Sequence, residues 1–136
     1  MRLWHKDLIP VLPRQQLLSQ WRECCAIARN IAVNGTPNHL LVNRILDYPC
    51  SQMNIYAQLV RDEMVRRGYK CDWNGYSKWT INRNREWEAK EIFPDWHNSR
   101  YFWQCYYNLQ EKHDCGGISE EEWQAIEDLA AQKKLG

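Results

Sequence analysis

Pro13-Arg14-Gln15-Gln16-Leu17-Leu18-Ser19-Gln20-Trp21-Arg22-Glu23-Cys24-Cys25-Ala26-Ile27-Ala28-Arg29-Asn30-Ile31-Ala32-Val33-Asn34-Gly35 carries the periodicity that decides the fold class. Leu17, Leu18, Trp21, Cys24, Cys25, Ala28 and Ile31 recur at steps of three and four, which places them on one helix face. Gln16, Ser19, Gln20, Arg22, Glu23, Arg29 and Asn30 fall on the opposite, polar face. Asn34-Gly35 ends the pattern where a left-handed C-cap is expected, and Pro13 suits its first turn.

Outward from this helix the chain keeps the same grammar. Pro10 and Pro13 bracket a short extended lead-in. Gly35-Thr36-Pro37 makes a turn, and a short helical stretch follows with Leu40, Leu41, Ile45 and Leu46, stopped by Pro49. Ser51 is expected to cap a helix that buries Ile55, Leu59, Val60 and Met64 and ends at Gly68. Trp73, Tyr76 and Trp79 lie among Gly, Asn and Ser and read as an ordered aromatic-rich loop. A short helix is expected over 84–92, and a longer one over 96–112 capped by Asp95. Gly116-Gly117 breaks the chain, and Ser119 with Glu122 forms a capping box for a last helix through Leu129. Strand signals are weak throughout. The expected class is all-α, one domain over 1–136, with about four to six helices and an aromatic-rich loop.

Composition narrows the function. At 44% apolar and 26% charged the chain resembles ordinary globular proteins rather than disordered ones. No run of about 18 apolar residues exists, so no transmembrane helix and no membrane partner are expected. Residues 1–7 carry charges where a signal peptide needs an apolar stretch, so a cytoplasmic protein with six reduced cysteines is expected. Residues 1–110 hold 15 Lys/Arg against 10 Asp/Glu, and residues 111–136 hold 3 against 7. A basic body rich in Trp (eight residues) and Tyr (seven) is the footprint of a nucleic-acid binder, here with an acidic end.

Individual residues carry bland readings beside functional ones. Glu23 reads as a solvated carboxylate or as a site acid, and His39 as a turn histidine or a catalyst. Arg66-Arg67-Gly68-Tyr69-Lys70 reads as dipole capping at a helix end or as a phosphate contact. Trp96, Trp103 and Tyr107, with Phe102 and Tyr106, sit at helical spacing, for which core packing is the default over base stacking. Cys105, His113 and Cys115 lack metal-site spacing, so no metal and no other cofactor is expected. No Walker loop, GxGxxG or nucleophile elbow is present, which leaves nucleotide hydrolysis and hydride transfer without machinery.

Met1-Arg2-Leu3-Trp4, Trp21-Arg22-Glu23, Asn38-His39-Leu40 with Arg44, and Arg67-Gly68-Tyr69 occur in this order. Over residues 1–72 the chain thereby resembles the pyrimidine-dimer DNA glycosylase family, of the phage endonuclease V type. Residues 73–136 form an aromatic-rich and acidic part beyond the resemblance. The resemblance implies a DNA-repair glycosylase with associated AP-lyase activity on kinked, double-stranded DNA. A free α-amino group attacks C1′ of the damaged nucleotide, and a helix glutamate assists. The matching positions are Glu23 for the glutamate, Arg2 and Arg22 for phosphate contacts, and His39 for the turn histidine; Arg44 and Arg67 join them as DNA-binding candidates. The phage enzyme exposes a small residue after losing its initiator; a bulky Arg2 retains Met1, whose amine becomes the expected nucleophile. Chemistry favours a terminus in this role. α-Amino groups titrate near 8, so about a tenth is unprotonated at pH 7, far more than for an ordinary lysine. The alternative is a non-catalytic nucleic-acid-binding protein of the same fold. A third reading is a protein-interaction domain that docks through its acidic last helix.

Overall fold

Arg14–Asn34 forms the longest helix, α1, ended by Gly35 at φ 77°, a left-handed conformation that glycine adopts without Cβ strain. A computed structural model describes residues 1–79 and 91–135 of the chain. Within them the chain runs through a 3-10 helix (Lys6–Val11), α1, a second 3-10 helix (Asn43–Asp47), α2 (Cys50–Arg66), α3 (Asn74–Ser77), α4 (Ser99–Asp114) and α5 (Glu120–Leu135). No strand occurs among the described residues, and the class is all-α. The helix expected over 84–92 falls mostly outside the described residues.

Three helix starts depart from expectation. Pro13 stands at the N-cap of α1 rather than in its first turn, because its extended ψ of 151° belongs to the chain entering the helix. Pro49 likewise caps α2 at ψ 142°, and Ser51, the expected cap, lies inside the helix and is buried. Asp95 yields its expected role to Asn98, whose side chain accepts from Tyr101 N–H at 2.9 Å. The delay comes from a turn at Phe93, where Trp96 and His97 N–H both donate to the Phe93 carbonyl (3.0 and 2.7 Å), tucking all three rings inward. The capping box of the last helix forms as expected: Glu122 N–H donates to Ser119 Oγ at 3.1 Å and Ser119 N–H to Glu122 Oε1 at 3.3 Å. This helix continues past Leu129 to Leu135.

The core is assembled around α1 and α2. Buried Leu17, Trp21, Cys24, Ile27 and Ala28 of α1 face Met53, Tyr56, Ala57, Val60 and Met64 of α2. Ile55 and Leu59 are only half-buried; Tyr56 and Ala57 take the expected core places, a rotation of the α2 face by roughly one residue. Gln20, expected on the polar face, is fully buried. Leu40 and Leu41 are exposed, while Val42 and Ile45 beside them are buried.

The N-terminal segment is an internal component. Leu3, Trp4, His5, Leu8, Ile9 and Leu12 are buried, and the first 3-10 helix packs on α2 and α5. The acidic last helix is engaged there: Glu122 Oε2 accepts from Arg14 N–H at 2.8 Å, and Lys133 pairs with Asp7. No helix among the described residues is long and apolar enough to cross a membrane.

Candidate nucleic-acid interface

The first backbone residues run without secondary structure, so their polar groups need partners elsewhere. Side chains supply them. Trp4 N–H donates to Gln20 Oε1 (2.7 Å), and Gln20 Nε2 donates to the Arg2 carbonyl (2.9 Å). The Tyr56 hydroxyl lies 2.6 Å from the Trp4 carbonyl and 2.9 Å from Gln20 Oε1. The Tyr101 hydroxyl donates to the Leu3 carbonyl at 2.5 Å, and Lys6 N–H donates to His97 Nδ1 at 3.0 Å. Burial pushes the Tyr56 and Tyr101 hydroxyls far above their ordinary range, so both remain donors across physiological pH. Residues 2–6 are thus fastened by α1, α2, α4 and the turn ahead of α4.

This fastening fixes the position of Met1. Met1, Arg2, Trp4 and Glu23 line one pocket with Leu41, Asn108 and Lys112, of about 300 Å³. Glu23 is half-buried, and its Oε2 accepts the second Gln20 N–H at 3.1 Å. The Arg2 guanidinium carbon lies 5.6 Å from the Trp4 ring centroid.

A larger cleft of about 640 Å³ adjoins it, sharing Arg2, Leu41 and Asn108 and adding Arg44, Trp96, Arg100, Gln104 and Tyr107. Basic side chains outnumber acidic ones across the pair: Arg2, Arg44, Arg100 and Lys112 against Glu23 and Glu111. Such a surface attracts polyanions.

The sequence-derived candidates divide here. Met1, Arg2 and Glu23 meet in the pocket, and Arg44 stands in the cleft with its Nη2 at 3.5 Å from the Asp95 carbonyl. Arg22 is exposed beside Glu23 on α1 and donates to Ser19 Oγ at 3.1 Å. His39 is a turn residue: its Nδ1 accepts from Leu41 N–H (3.3 Å), and its own N–H donates to Asn43 Oδ1 (2.9 Å). Arg67 is engaged within the fold. It donates to Glu63 (2.7 Å) and to the carbonyls of Leu12 (2.7 Å), Ile9 (3.3 Å) and Pro10 (3.1 Å) at the end of the first 3-10 helix.

Trp96, Phe102 and Tyr106 are buried, in keeping with core packing, while Tyr107 is exposed on the cleft wall. Among the described residues no group of three or more His, Cys, Asp or Glu is placed to hold a metal ion.

A family model described as pyrimidine dimer DNA glycosylase matches residues 1–75. The chain belongs to this family. Membership supports a DNA-repair glycosylase with DNA as its substrate. Comparison with curated proteins and with solved structures returned no match. The family span contains Met1, Arg2, Glu23 and Arg44, but the far walls of both pockets come from α4, outside it.

Sequence reasoning missed that wall and missed Gln20. Arg100, Gln104, Asn108 and Lys112 recur every four residues, one polar stripe along α4, and all four line the pockets. The stripe is legible as a four-residue periodicity, interleaved with the aromatic residues of the same helix. Gln20 carried no such signal, since a glutamine between Ser19 and Trp21 looks like any solvated residue.

Proposed function

We propose that this protein excises a damaged pyrimidine from double-stranded DNA and then nicks the resulting abasic strand, using the α-amino group of Met1 and the carboxylate of Glu23. The observation that carries the reading is that Met1 and Glu23 line one pocket together with Arg2 and Lys112. The amine lone pair forms a bond to C1′ as the C1′–N glycosidic bond breaks, and the base departs with that electron pair and takes up a proton. Opening of the sugar ring with loss of a proton from nitrogen gives an imine. Removal of a C2′ proton then expels the 3′-phosphate by β-elimination. Glu23 stabilises the cationic sugar and moves these protons, as carboxylates do at other glycosidic bonds.

Arg2, Arg22 and Arg44 contact backbone phosphates, and His39 shapes the turn at the pocket mouth. Arg67 belongs to the architecture in this reading, since its donors are occupied internally. The cytoplasm, where six unpaired thiols persist, is the compartment that suits it.

Borohydride reduction of the imine tests the mechanism. Protein with an unextended Met1 forms a covalent adduct with abasic duplex, and one carrying an N-terminal tag does not. Equal trapping by both rejects the amine. Salt-dependent binding without adduct or nicking in either form favours a non-catalytic binder of the same fold.

A further inference from the structure

The turn between α1 and the second 3-10 helix presents the most exposed large apolar side chain beside the clefts. Leu40 is 91% exposed and Leu41 54%, although Pro37 on one side and Val42 and Ile45 on the other are buried. The tip is held in shape. Asn38 N–H donates to Thr36 Oγ1 (3.1 Å), Val42 and Asn43 N–H donate to the His39 carbonyl (3.0 and 2.8 Å), and Asn38 adopts φ 56°. With the His39 bonds to Leu41 and Asn43, this turn is fixed by its own polar groups while its two leucines point away from the core.

Isolated surface leucines need no explanation. These two are adjacent, sit on a hydrogen-bonded turn, and border the pockets: Leu41 lines each, and Leu40 lines the larger with Arg2, Arg44 and Arg100. An apolar point among guanidinium groups is what a kinked duplex requires of its binder, cations for the phosphates and a wedge for the opened base step.

We infer that Leu40, supported by Leu41, is a wedge that enters the base stack beside the lesion and holds the step open while C1′ of the damaged nucleotide reaches the pocket of Met1 and Glu23. The inference rests on DNA being the substrate, as read above. It assigns to the turn a step separate from the chemistry: unstacking, which a single-stranded substrate does not require.

The test uses full-length, untagged protein and 2-aminopurine, which brightens when unstacked, placed next to a non-cleavable tetrahydrofuran abasic analogue in duplex DNA. At saturating protein the fluorescence rises several-fold with the native chain. Leu40→Ala and Leu40→Ser reduce the rise at least threefold, and Leu40→Met restores most of it. Borohydride trapping of Leu40→Ala falls at least tenfold on abasic duplex and stays within twofold of native on a single-stranded abasic oligonucleotide. Saturated binding without a fluorescence rise overturns the wedge, as does an equal rise in native and Leu40→Ala proteins. Equal losses of trapping on duplex and single strand also overturn it. Absence of trapping by the native chain on both substrates, with the Leu40-dependent rise retained, rejects the amine chemistry alone and upholds the wedge.

Discussion

Gln20 Nε2 donates to Glu23 Oε2 at 3.1 Å and, with its other N–H, to the Arg2 carbonyl at 2.9 Å. Its Oε1 is taken by Trp4 N–H, so the amide can point only one way: reversal would set two donors, or two acceptors, against each other. All of this lies in a fully buried side chain. One residue therefore joins the Arg2 carbonyl and the Trp4 N–H to the acid on α1, and the order of the pocket depends on it.

Gln20→Leu keeps the bulk and removes the four bonds, leaving Trp4 N–H and the Arg2 carbonyl without their partner. A loss of about 2–4 kcal/mol is expected from urea unfolding. Trapping on abasic DNA falls with it, even at temperatures where the variant is folded. Tyr56→Phe removes only one hydroxyl from the same network, costs about 1 kcal/mol, and retains trapping.

Glu23→Gln separates chemistry from architecture. The carboxamide oxygen still accepts from Gln20, and the residue is only half-buried, so unfolding midpoints move little. Duplex affinity is unchanged or higher. Single-turnover nicking and adduct formation drop about 10²–10⁴-fold, the scale of a lost general acid–base group. A drop in affinity with unchanged turnover would contradict this role.

Arg44 and Arg67 are expected to fail differently. Arg44→Ala weakens duplex binding at all sequences, reduces the slope of log affinity against log salt by about one, and leaves stability unchanged. Arg67→Ala frees three backbone carbonyls and removes a partner from Glu63, whose side chain is 8% exposed. A loss of about 2–4 kcal/mol in urea unfolding follows, with a native salt slope in the fraction that stays folded.

Low pH is expected to loosen the N-terminal anchor. Burial lowers the pKa of His97 to about 2, and burial also lowers that of His5 despite the neighbouring Asp7. The two rings stack at 5.1 Å, and His97 Nδ1 accepts from Lys6 N–H, a bond that needs an unprotonated nitrogen. Both folded values lie below the unfolded one near 6.5, so the unfolded chain binds protons first. Stability is full above about pH 7.5 and falls as pH drops through 6.5, by up to about 1.4 kcal/mol per pH unit for each histidine. Urea midpoints between pH 7.5 and 5 measure the slope. His97→Gln flattens it while lowering stability throughout.

Local rules in the sequence were enough for the elements themselves. The apolar steps of α1, its Gly35 stop and the Ser119–Glu122 box are short-range chemistry, and each forms as the spacing predicts. Met1, Arg2 and Glu23 as a set came from family likeness rather than from periodicity, and the structure draws all three around one pocket. Polar burial was out of reach. Gln20 lies inside because residues 2–4 pack over α1 and need a donor and an acceptor there, a demand set sixteen and eighteen positions away. Arg67 was ambiguous for a similar reason, since the carbonyls it satisfies are 55 to 58 positions earlier.

The amino-acid sequence by itself determined an all-α chain, the helix that carries Glu23, and a cationic, aromatic-rich body, because helical periodicity, caps and charge act over a few residues. Tertiary structure alone decided that residues 1–4 are clamped beside that helix, that α4 walls the pocket, and that Leu40 stands outside the core. Those outcomes depend on which distant groups must satisfy one another's hydrogen bonds and cover one another's apolar surface, and no local pattern contains that information.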